Sequence, residues 1–285
     1  MKPIDLHVHS NKSDGSDSPE ALVTMAMAKG LSSFALTDHD TVAGIETAIK
    51  YAESLRQAGM TDVCKVIPGI ELSTEYMGKD IHLVGLFIDY NSPAFLARLQ
   101  HFADSRVERN RKMCDRLAAD GIDISYEKLT EVFPDSVLTR AHYGVYLVNH
   151  GYCLSKADAF SKYLGDHTKY FVPREKITPQ MGVELILQAG GVPVLAHPVL
   201  YHMSDNHLEA LVAHLKKVGL IGIEAIYATY NQAEERQIRK LAAKYNLCIS
   251  GGSDYHGDAK PGLEMGTGYG KLFVPEDLLD ALTIR

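Results

Sequence analysis

The chain has 285 residues, of which 46% are hydrophobic and 23% charged, as in one large globular domain or two. Its net charge of −7 argues against a chain that binds duplex DNA, and no apolar run is long enough to span a membrane. The first residues enter a strand pattern directly, so we expect no signal peptide. Four scattered cysteines without a CxxC pair predict a reducing, cytoplasmic environment.

Short strand patterns alternate with helical patterns in the first ninety residues. The strand PIDLHV precedes a helix with Ser18 as predicted N-cap, Pro19 as first residue and Gly30 as stop. After the strand SSFALT, Thr41 is predicted to cap a second helix that ends at Gly59. The runs CKVIPGIEL and DIHLVGLFI follow as strands.

Three further strand patterns lie near the end of the chain: GGVPVLAHP, IGIEAIY and LCISGGSD. Helical stretches at about 204–218 and 231–245 separate them. Such strand–helix alternation predicts parallel βαβ units, and therefore an α/β fold built as an open sheet or a (βα) barrel.

The middle of the chain is mostly helical and differs in charge. Residues 98–176 hold 13 Lys or Arg and 11 Asp or Glu, a net charge of +2, so the remainder carries −9. We predict a helical insertion, or cap, domain at 96–187 in a barrel domain formed by 1–95 and 188–285. In its basic run RVERNRK we expect a mainly solvated helix face, with Arg106 or Arg109 as candidates to face a cleft.

Histidines and acids recur where the predicted strands end. A single histidine there is more often a surface or hydrogen-bonded core residue, and Asp14-Gly15 alone reads as a turn. Together, however, they have the composition of a di- or trinuclear metal site on one rim of a barrel. The candidate ligands are His7, His9, Asp14, His39, Glu71, His82, His197, Asp254 and His256.

The motifs DLHVHSNKSDG, TDHD, PGIE, HLVG, AHP and GSDYH resemble, in this order, those of the polymerase and histidinol phosphatase (PHP) phosphoesterases. This resemblance implies a distorted (βα)7 barrel, the PHP fold, with a centre of two to three divalent metal ions. Mixed histidine and carboxylate ligands suit Mn, Fe or Zn. The implied nucleophile is a metal-bridging hydroxide held by Glu71, with His197 and His256 beside it.

The resemblance also implies how three metal ions would share the nine ligands. One ion takes His7, His9, Glu71 and Asp254. A second shares Glu71 and adds His82 and His197. A third takes Asp14, His39 and His256.

The helical insertion resembles the branch of this family that removes the 3′-phosphate from nucleoside 3′,5′-bisphosphates, some members of which also trim short RNA from the 5′ end. The segment LTRAHYGVYLVNHG resembles the phosphate-contacting helix of that branch, which implies Arg140 and His142 as substrate ligands. The segment KYLGDHTKYFVPRE matches a later segment in part and adds Lys169. The implied partner is a small phosphorylated molecule, a nucleotide or short RNA.

Two other functions remain open from the sequence. A phosphatase of another small phosphomonoester, such as histidinol phosphate, would share the metal site but needs less of a cap. A non-catalytic PHP module that binds a protein partner would not need a complete set of ligands. A phosphate-release screen combined with metal analysis separates these possibilities.

Overall fold

The computed structural model describes residues 2–134, 136–173 and 177–283, and within them eight strands form one sheet. The strands are β1 (Pro3–Val8), β2 (Ser33–Leu36), β3 (Lys65–Tyr76), β4 (Lys79–Leu86), β5 (Val192–Leu195), β6 (Gly222–Tyr227), β7 (Cys248–Gly252) and β8 (Val274–Pro275). The α-helices of the same residues are α1 (Pro19–Ala28), α2 (Ile45–Gln57), α3 (Pro93–Ala119), α4 (Tyr126–Val132), α5 (Arg140–Asn149), α6 (Lys156–Ala159), α7 (Pro179–Gln188), α8 (Asp205–Val218), α9 (Gln232–Lys244) and α10 (Leu278–Thr283).

The sheet curls into a nearly closed barrel. Its strand order is β7-β6-β5-β4-β3-β2-β1-β8, and the ends of β1 and β7 meet again. There, Asp254 donates its backbone N–H to the carbonyl of His7 at 2.9 Å, and His9 donates to Tyr255 at 2.9 Å. The predicted fold class, a distorted α/β barrel with helices inserted, is confirmed.

Strand β4 departs from the predicted parallel pattern, since it is antiparallel to both β3 and β5. Met77 and Gly78, which connect β3 to β4, have φ angles of 53° and 71°. Two consecutive left-handed residues form the tight hairpin turn that suits the twist of paired strands. Because β4 runs backwards, its early residues, including His82, lie at the rim where the parallel strands end.

Of the two N-caps predicted from the sequence, Ser18 and Thr41, only Ser18 caps a helix. Ser18 caps α1 by accepting a hydrogen bond from the N–H of Ala21. The predicted cap at Thr41 is wrong, because α2 begins at Ile45 after Gly44. The Thr41 hydroxyl instead accepts a bond from Ala43 N–H at 3.2 Å and forms a local turn.

The buried apolar residues of the described ranges form three clusters, and two of them show that the barrel and the middle helices have separate cores. One, drawn from nearly every strand, fills the barrel and includes Ile4, Val84 and Val194. The other packs among α3, α4, α5 and α6 and includes Met113 and Tyr143.

The long helix α3 links these regions. Its first turns pack against the barrel through Phe95 and Leu99, whereas Met113 and Leu117 belong to the apolar cluster of the middle helices. Helix α7, although inside the range predicted for the cap, packs against β3, β4 and β5. Among the described helices, none combines the length and apolar character needed to cross a membrane.

Candidate active site

All nine predicted ligands meet at one rim of the barrel. Parallel strands place the side chains that follow them at the same edge, and the reversal of β4 adds His82. The side chains of this rim cluster are mostly buried, and they form three overlapping groups that can each hold a cation.

The first group contains His7, His9, Glu71 and Asp254. The Nε2 atoms of His7 and His9 are 3.1 Å apart, and each is 3.1 Å from Glu71 Oε2. Asp254 Oδ1 lies 3.5 Å from His7 Nε2 and 3.3 Å from His9 Nε2. These four residues are the same set that the family resemblance implies for one metal ion.

Glu71 also takes part in the second group, with His39 and His82. Its Oε1 atom lies 2.9 Å from both His82 Nδ1 and His197 Nε2. His39 Nδ1 is 3.3 Å from the other carboxylate oxygen. Glu71 thus stands between two candidate cation positions.

The third group contains His9, Asp14, His39 and His256. His256 Nε2 lies 3.2 Å from Asp14 Oδ1, and His39 Nε2 lies 3.9 Å from Asp14 Oδ2. This group differs from the implied set by including His9.

The donor atoms of the rim fit divalent metal ions. The facing nitrogens of His7 and His9 share Glu71 as neighbour, an arrangement that a cation between them satisfies. Within the described part of the chain, Nδ1 of His39, His82 and His197 and Oδ1 of Asp14 are buried without a hydrogen bond of good geometry. Imidazole nitrogens and carboxylate oxygens together suit Mn, Fe or Zn.

The electrostatics of the rim keep its acids ionised. Burial by itself would raise the pKa of Glu71, but the charges of His39, His7 and His82 hold that pKa well below its usual range. Burial opposes ionisation of Asp14 in the same way, but His39 and His256 hold its pKa well below its usual range. Both carboxylates therefore offer negatively charged oxygen ligands at neutral pH.

Glu224, in β6, supports two of the ligands and was not predicted. Its Oε1 atom lies 3.1 Å from His7 Nδ1, and its Oε2 accepts a 2.7 Å bond from the backbone N–H of His197. A carboxylate on the far nitrogen of a ligating histidine fixes which ring nitrogen faces the metal. The sequence signal was present, since Glu224 is the one acid in the apolar run IGIEAIY.

Asp254 is held from two sides. Tyr227 donates its hydroxyl to Asp254 Oδ2 at 2.6 Å, and Lys260 Nζ lies 2.5 Å from the same oxygen. The residue also has a φ of 57°, and a left-handed backbone at a non-glycine residue is strained and concentrates at functional sites. These contacts leave Oδ1 directed at His7 and His9.

Asp38 orders the loop that carries Asp14. It accepts hydrogen bonds from Ser10 N–H at 2.8 Å, from the Ser10 hydroxyl at 2.7 Å and from the Ser13 hydroxyl at 2.6 Å. The loop is therefore fixed beside β2 before any ligand binds.

A cavity beside the rim cluster, named here the arginine cavity, contains three arginines. Its lining comprises Asp14, His39, Ser73, Asp80, His82, Arg106, Arg109, Thr139, Arg140, Ala141, Phe160, Phe171 and Val172. Arg106 and Arg109 of α3 are both buried, with Arg106 paired to Asp40. Arg111 and Lys112 are exposed and paired with Glu127 and Glu108, so the basic run divides between cavity and solvent.

Arg140 begins α5 and lines the arginine cavity. Its guanidinium pairs with Asp166, lies 3.2 Å from Asp80 Oδ2 and donates to the carbonyl of Leu164 at 3.1 Å. Phe171 lies 5.5 Å from the guanidinium carbon, measured to the ring centroid. The structure thus brings Arg140 to the same cavity as His39 and His82.

The structure does not bring the other two predicted substrate ligands to this cavity. His142 is buried, and its Nδ1 accepts the backbone N–H of Thr139 at 2.9 Å, which closes the first turn of α5. Lys169 has a side chain that is 70% exposed and pairs with Asp120 at 2.5 Å. Neither side chain lines the cavity that holds Arg140.

Comparison with known proteins agrees with this architecture. Residues 5–176 match the model of the PHP domain. A 5′-3′ exoribonuclease from Haemophilus influenzae is 36% identical over 90% of this chain and 90% of its own length. A 3′,5′-nucleoside bisphosphate phosphatase from Chromobacterium violaceum is 30% identical over 93% of this chain and 91% of its own.

A solved structure, described as a metal-dependent phosphoesterase from Bifidobacterium adolescentis, superposes with a TM-score of 0.83 at 25% identity. The match covers 99% of this chain and 96% of that one. The chain therefore belongs to the PHP family. It is a metal-dependent hydrolase of phosphoester bonds, which confirms the predicted enzyme class and contradicts a non-catalytic binding module.

Proposed function

We propose that the enzyme removes the 3′-phosphate from nucleoside 3′,5′-bisphosphates to give 5′-nucleotides, and trims short 5′-phosphorylated RNA by breaking the equivalent bond. The observation that carries this proposal is the arginine cavity. It places Arg106, Arg109 and Arg140 beside His39 and His82 of the rim cluster. A substrate with a second phosphate can therefore bind arginines while its other phosphate meets the rim.

Each part of the cavity has a separate task in this proposal. Arg140 binds the phosphate that does not react, because a guanidinium offers paired N–H donors to phosphate oxygens. Phe160 and Phe171 line the same cavity and offer apolar surface to the base. Binding energy from these distant contacts positions the 3′-phosphate at the rim.

The rim cluster would hold the metal ions. His7, His9, Glu71 and Asp254 form one position, and Glu71 with His39, His82 and His197 surrounds another, while His256 and Asp14 lie at a third. Divalent ions bound there would lower the pKa of water and would offset charge on the phosphoryl oxygens. Glu71 would be shared by two of these positions, while Glu224 holds His7 and His197 and Asp38 holds the loop that carries Asp14.

A phosphate-release panel tests the proposal. The purified protein, with and without added Mn²⁺, is given a nucleoside 3′,5′-bisphosphate, a 5′-monophosphate and histidinol phosphate. The bisphosphate should exceed the other two in kcat/KM by at least about tenfold, equivalent to ~1.4 kcal/mol. The nucleotide product, identified by chromatography, should be the 5′-monophosphate.

Histidinol phosphate is the informative competitor. Its protonated amine, unlike a second phosphate, can form no ion pair with the arginines of this cavity. If histidinol phosphate is nevertheless the best substrate, or if the 5′-phosphate leaves first, the proposed substrate is wrong although the metal site stands.

A further inference from the structure

A second cavity of about 420 Å³ lies on the other side of the first turn of α5. It shares Asp14 and Ala141 with the arginine cavity, but its remaining wall on α5 is formed by His142 and Val145. Its volume falls in the range of small-molecule sites, roughly 300–1,000 Å³. The proposed phosphatase reaction on a mononucleotide makes no use of this space.

The walls of the second cavity belong to the catalytic rim as well as to the cap. Asn11, Asp14 and Ser16 come from the loop after β1, and Asp258 and Ala259 follow the rim residue His256. The loop after β1 is joined to the cap by hydrogen bonds, from Val137 N–H to the Lys12 carbonyl at 3.0 Å and from the Ser136 hydroxyl to the Asn11 carbonyl at 2.7 Å.

The chemistry of the cavity suits a nucleoside rather than a bare anion. Val132, Phe133 and Val145 supply apolar and aromatic surface. Lys156 adds a cation, which donates to the Ala259 carbonyl at 2.8 Å. Within the described residues, the buried Oδ1 of Asn11 has no hydrogen-bond partner, and a base amino group or a ribose hydroxyl can supply one.

The bonds broken in the two substrates explain why a cavity is needed on each side of the rim. In a bisphosphate, water adds to the 3′-phosphorus, the bond from phosphorus to O3′ breaks, O3′ takes a proton, and inorganic phosphate leaves. In RNA the same bond breaks, but that phosphorus still carries the 5′ oxygen of the next nucleoside. The remaining RNA therefore keeps a 5′-phosphate and needs space beyond the rim, away from the first nucleotide.

The geometry points to the second cavity as the binding site for the nucleoside 3′ to the scissile phosphate, while the arginine cavity holds the 5′-terminal nucleotide. This inference rests on the proposed function and adds where the second nucleoside of a short RNA substrate binds. Both cavities touch Asp14, so the reacting phosphate lies at their junction.

Filling the cavity tests the inference. Val145→Trp places an indole in the second cavity, whereas Asn149→Trp puts the same side chain at the exposed end of the same helix. Two substrates with the same first nucleoside are compared, the 3′,5′-bisphosphate and the 5′-phosphorylated dinucleotide. Val145→Trp should lower kcat/KM for the dinucleotide by at least about tenfold and change the bisphosphate value less than about twofold, because only the dinucleotide occupies the blocked space.

Two variants that differ only in charge, Val132→Glu and Val132→Gln, give a second test. This test does not require the cavity to accept a large side chain. Val132 is 46% exposed at the end of α4, so polar residues are accepted there. Val132→Glu should slow cleavage of a 5′-phosphorylated trinucleotide several-fold relative to Val132→Gln, because the glutamate repels the next phosphodiester. The two variants should be equal on the bisphosphate.

The outcomes separate this inference from the proposed function. If wild type hydrolyses the bisphosphate but not the dinucleotide, or if Val145→Trp lowers both substrates equally, the second cavity is not an RNA site and the phosphatase assignment stands. If wild type hydrolyses neither substrate with Mn²⁺ present, the proposed function fails and the inference fails with it.

Discussion

The rim of the barrel and the cap contribute charged residues to the same cavity but hold them differently. At the rim, Glu71 and His7 are fixed by strands and buried, and Glu224 supports His7. In the cap, Arg140 lies on a helix and pairs with two carboxylates, one of them from β4. A buried side chain fixed on a strand suits chemistry that needs a fixed geometry. An arginine that is paired with carboxylates can instead exchange a carboxylate for a phosphate. Mutations in the two regions should therefore fail in different ways.

The largest effect is expected at Glu71. Glu71→Gln removes the charged ligand shared by two candidate cation positions, so both should lose metal and kcat/KM should fall by at least roughly a thousandfold. Elemental analysis and phosphate release measure this. Glu75→Gln, at an exposed position of the same strand, is the matched control. A folded Glu71→Gln protein that keeps its metal and its activity would falsify the bridging role.

Arg140 should behave as a substrate ligand without affecting metal. Arg140→Ala should weaken kcat/KM for the bisphosphate by about 2–4 kcal/mol, because a buried phosphate loses its charged partner. Metal content should stay at the wild-type value. Arg111→Ala is the control, since Arg111 is a paired cap arginine outside the cavity. Unchanged kcat/KM on every good substrate would make Arg140 a purely structural residue.

A substitution of Glu224 tests how far metal binding at the rim depends on the carboxylate that contacts His7 and His197. Glu224→Gln keeps the size of the side chain, but only one of its two terminal atoms can accept a hydrogen bond. Its N–H₂ group would therefore face an N–H donor, either that of His7 or that of His197. Metal affinity should fall by about 10–100-fold. Titration with a competing chelator measures this, and Glu235→Gln on the exposed face of α9 is the control. Equal affinities of wild type and Glu224→Gln would show that His7 and His197 are held without this carboxylate.

The smallest effect is expected at Lys169, which the family resemblance implies as a substrate ligand. Because its exposed ammonium pairs with Asp120, Lys169→Ala should change kcat/KM less than about twofold. A loss as large as that of Arg140→Ala would instead mean that this segment moves to the cavity when substrate binds.

The sequence was sufficient to propose the nine rim residues, because most of them lie at or just after the end of a strand pattern and all of them have ligand chemistry. It was less informative about their support. Glu224 was visible as an acid in an apolar run, but which histidine it would contact depended on how β1 and β6 face each other.

In the cap, the spacing of Arg106 and Arg109 places them on one helix face. Only the packing of α3 shows that this face is buried toward the rim.

What the sequence alone determined is therefore local: strand ends, ligand types, a helix start such as the one capped by Ser18, and the positive middle segment. Local hydrogen bonding and side-chain periodicity decide these features within a few residues. The tertiary structure decided that β4 runs backwards and brings His82 to the rim, that Lys169 pairs with Asp120, and that two cavities meet at Asp14. Those outcomes depend on contacts between residues far apart in the chain, such as Asp14 with Thr139, and no local pattern specifies such contacts.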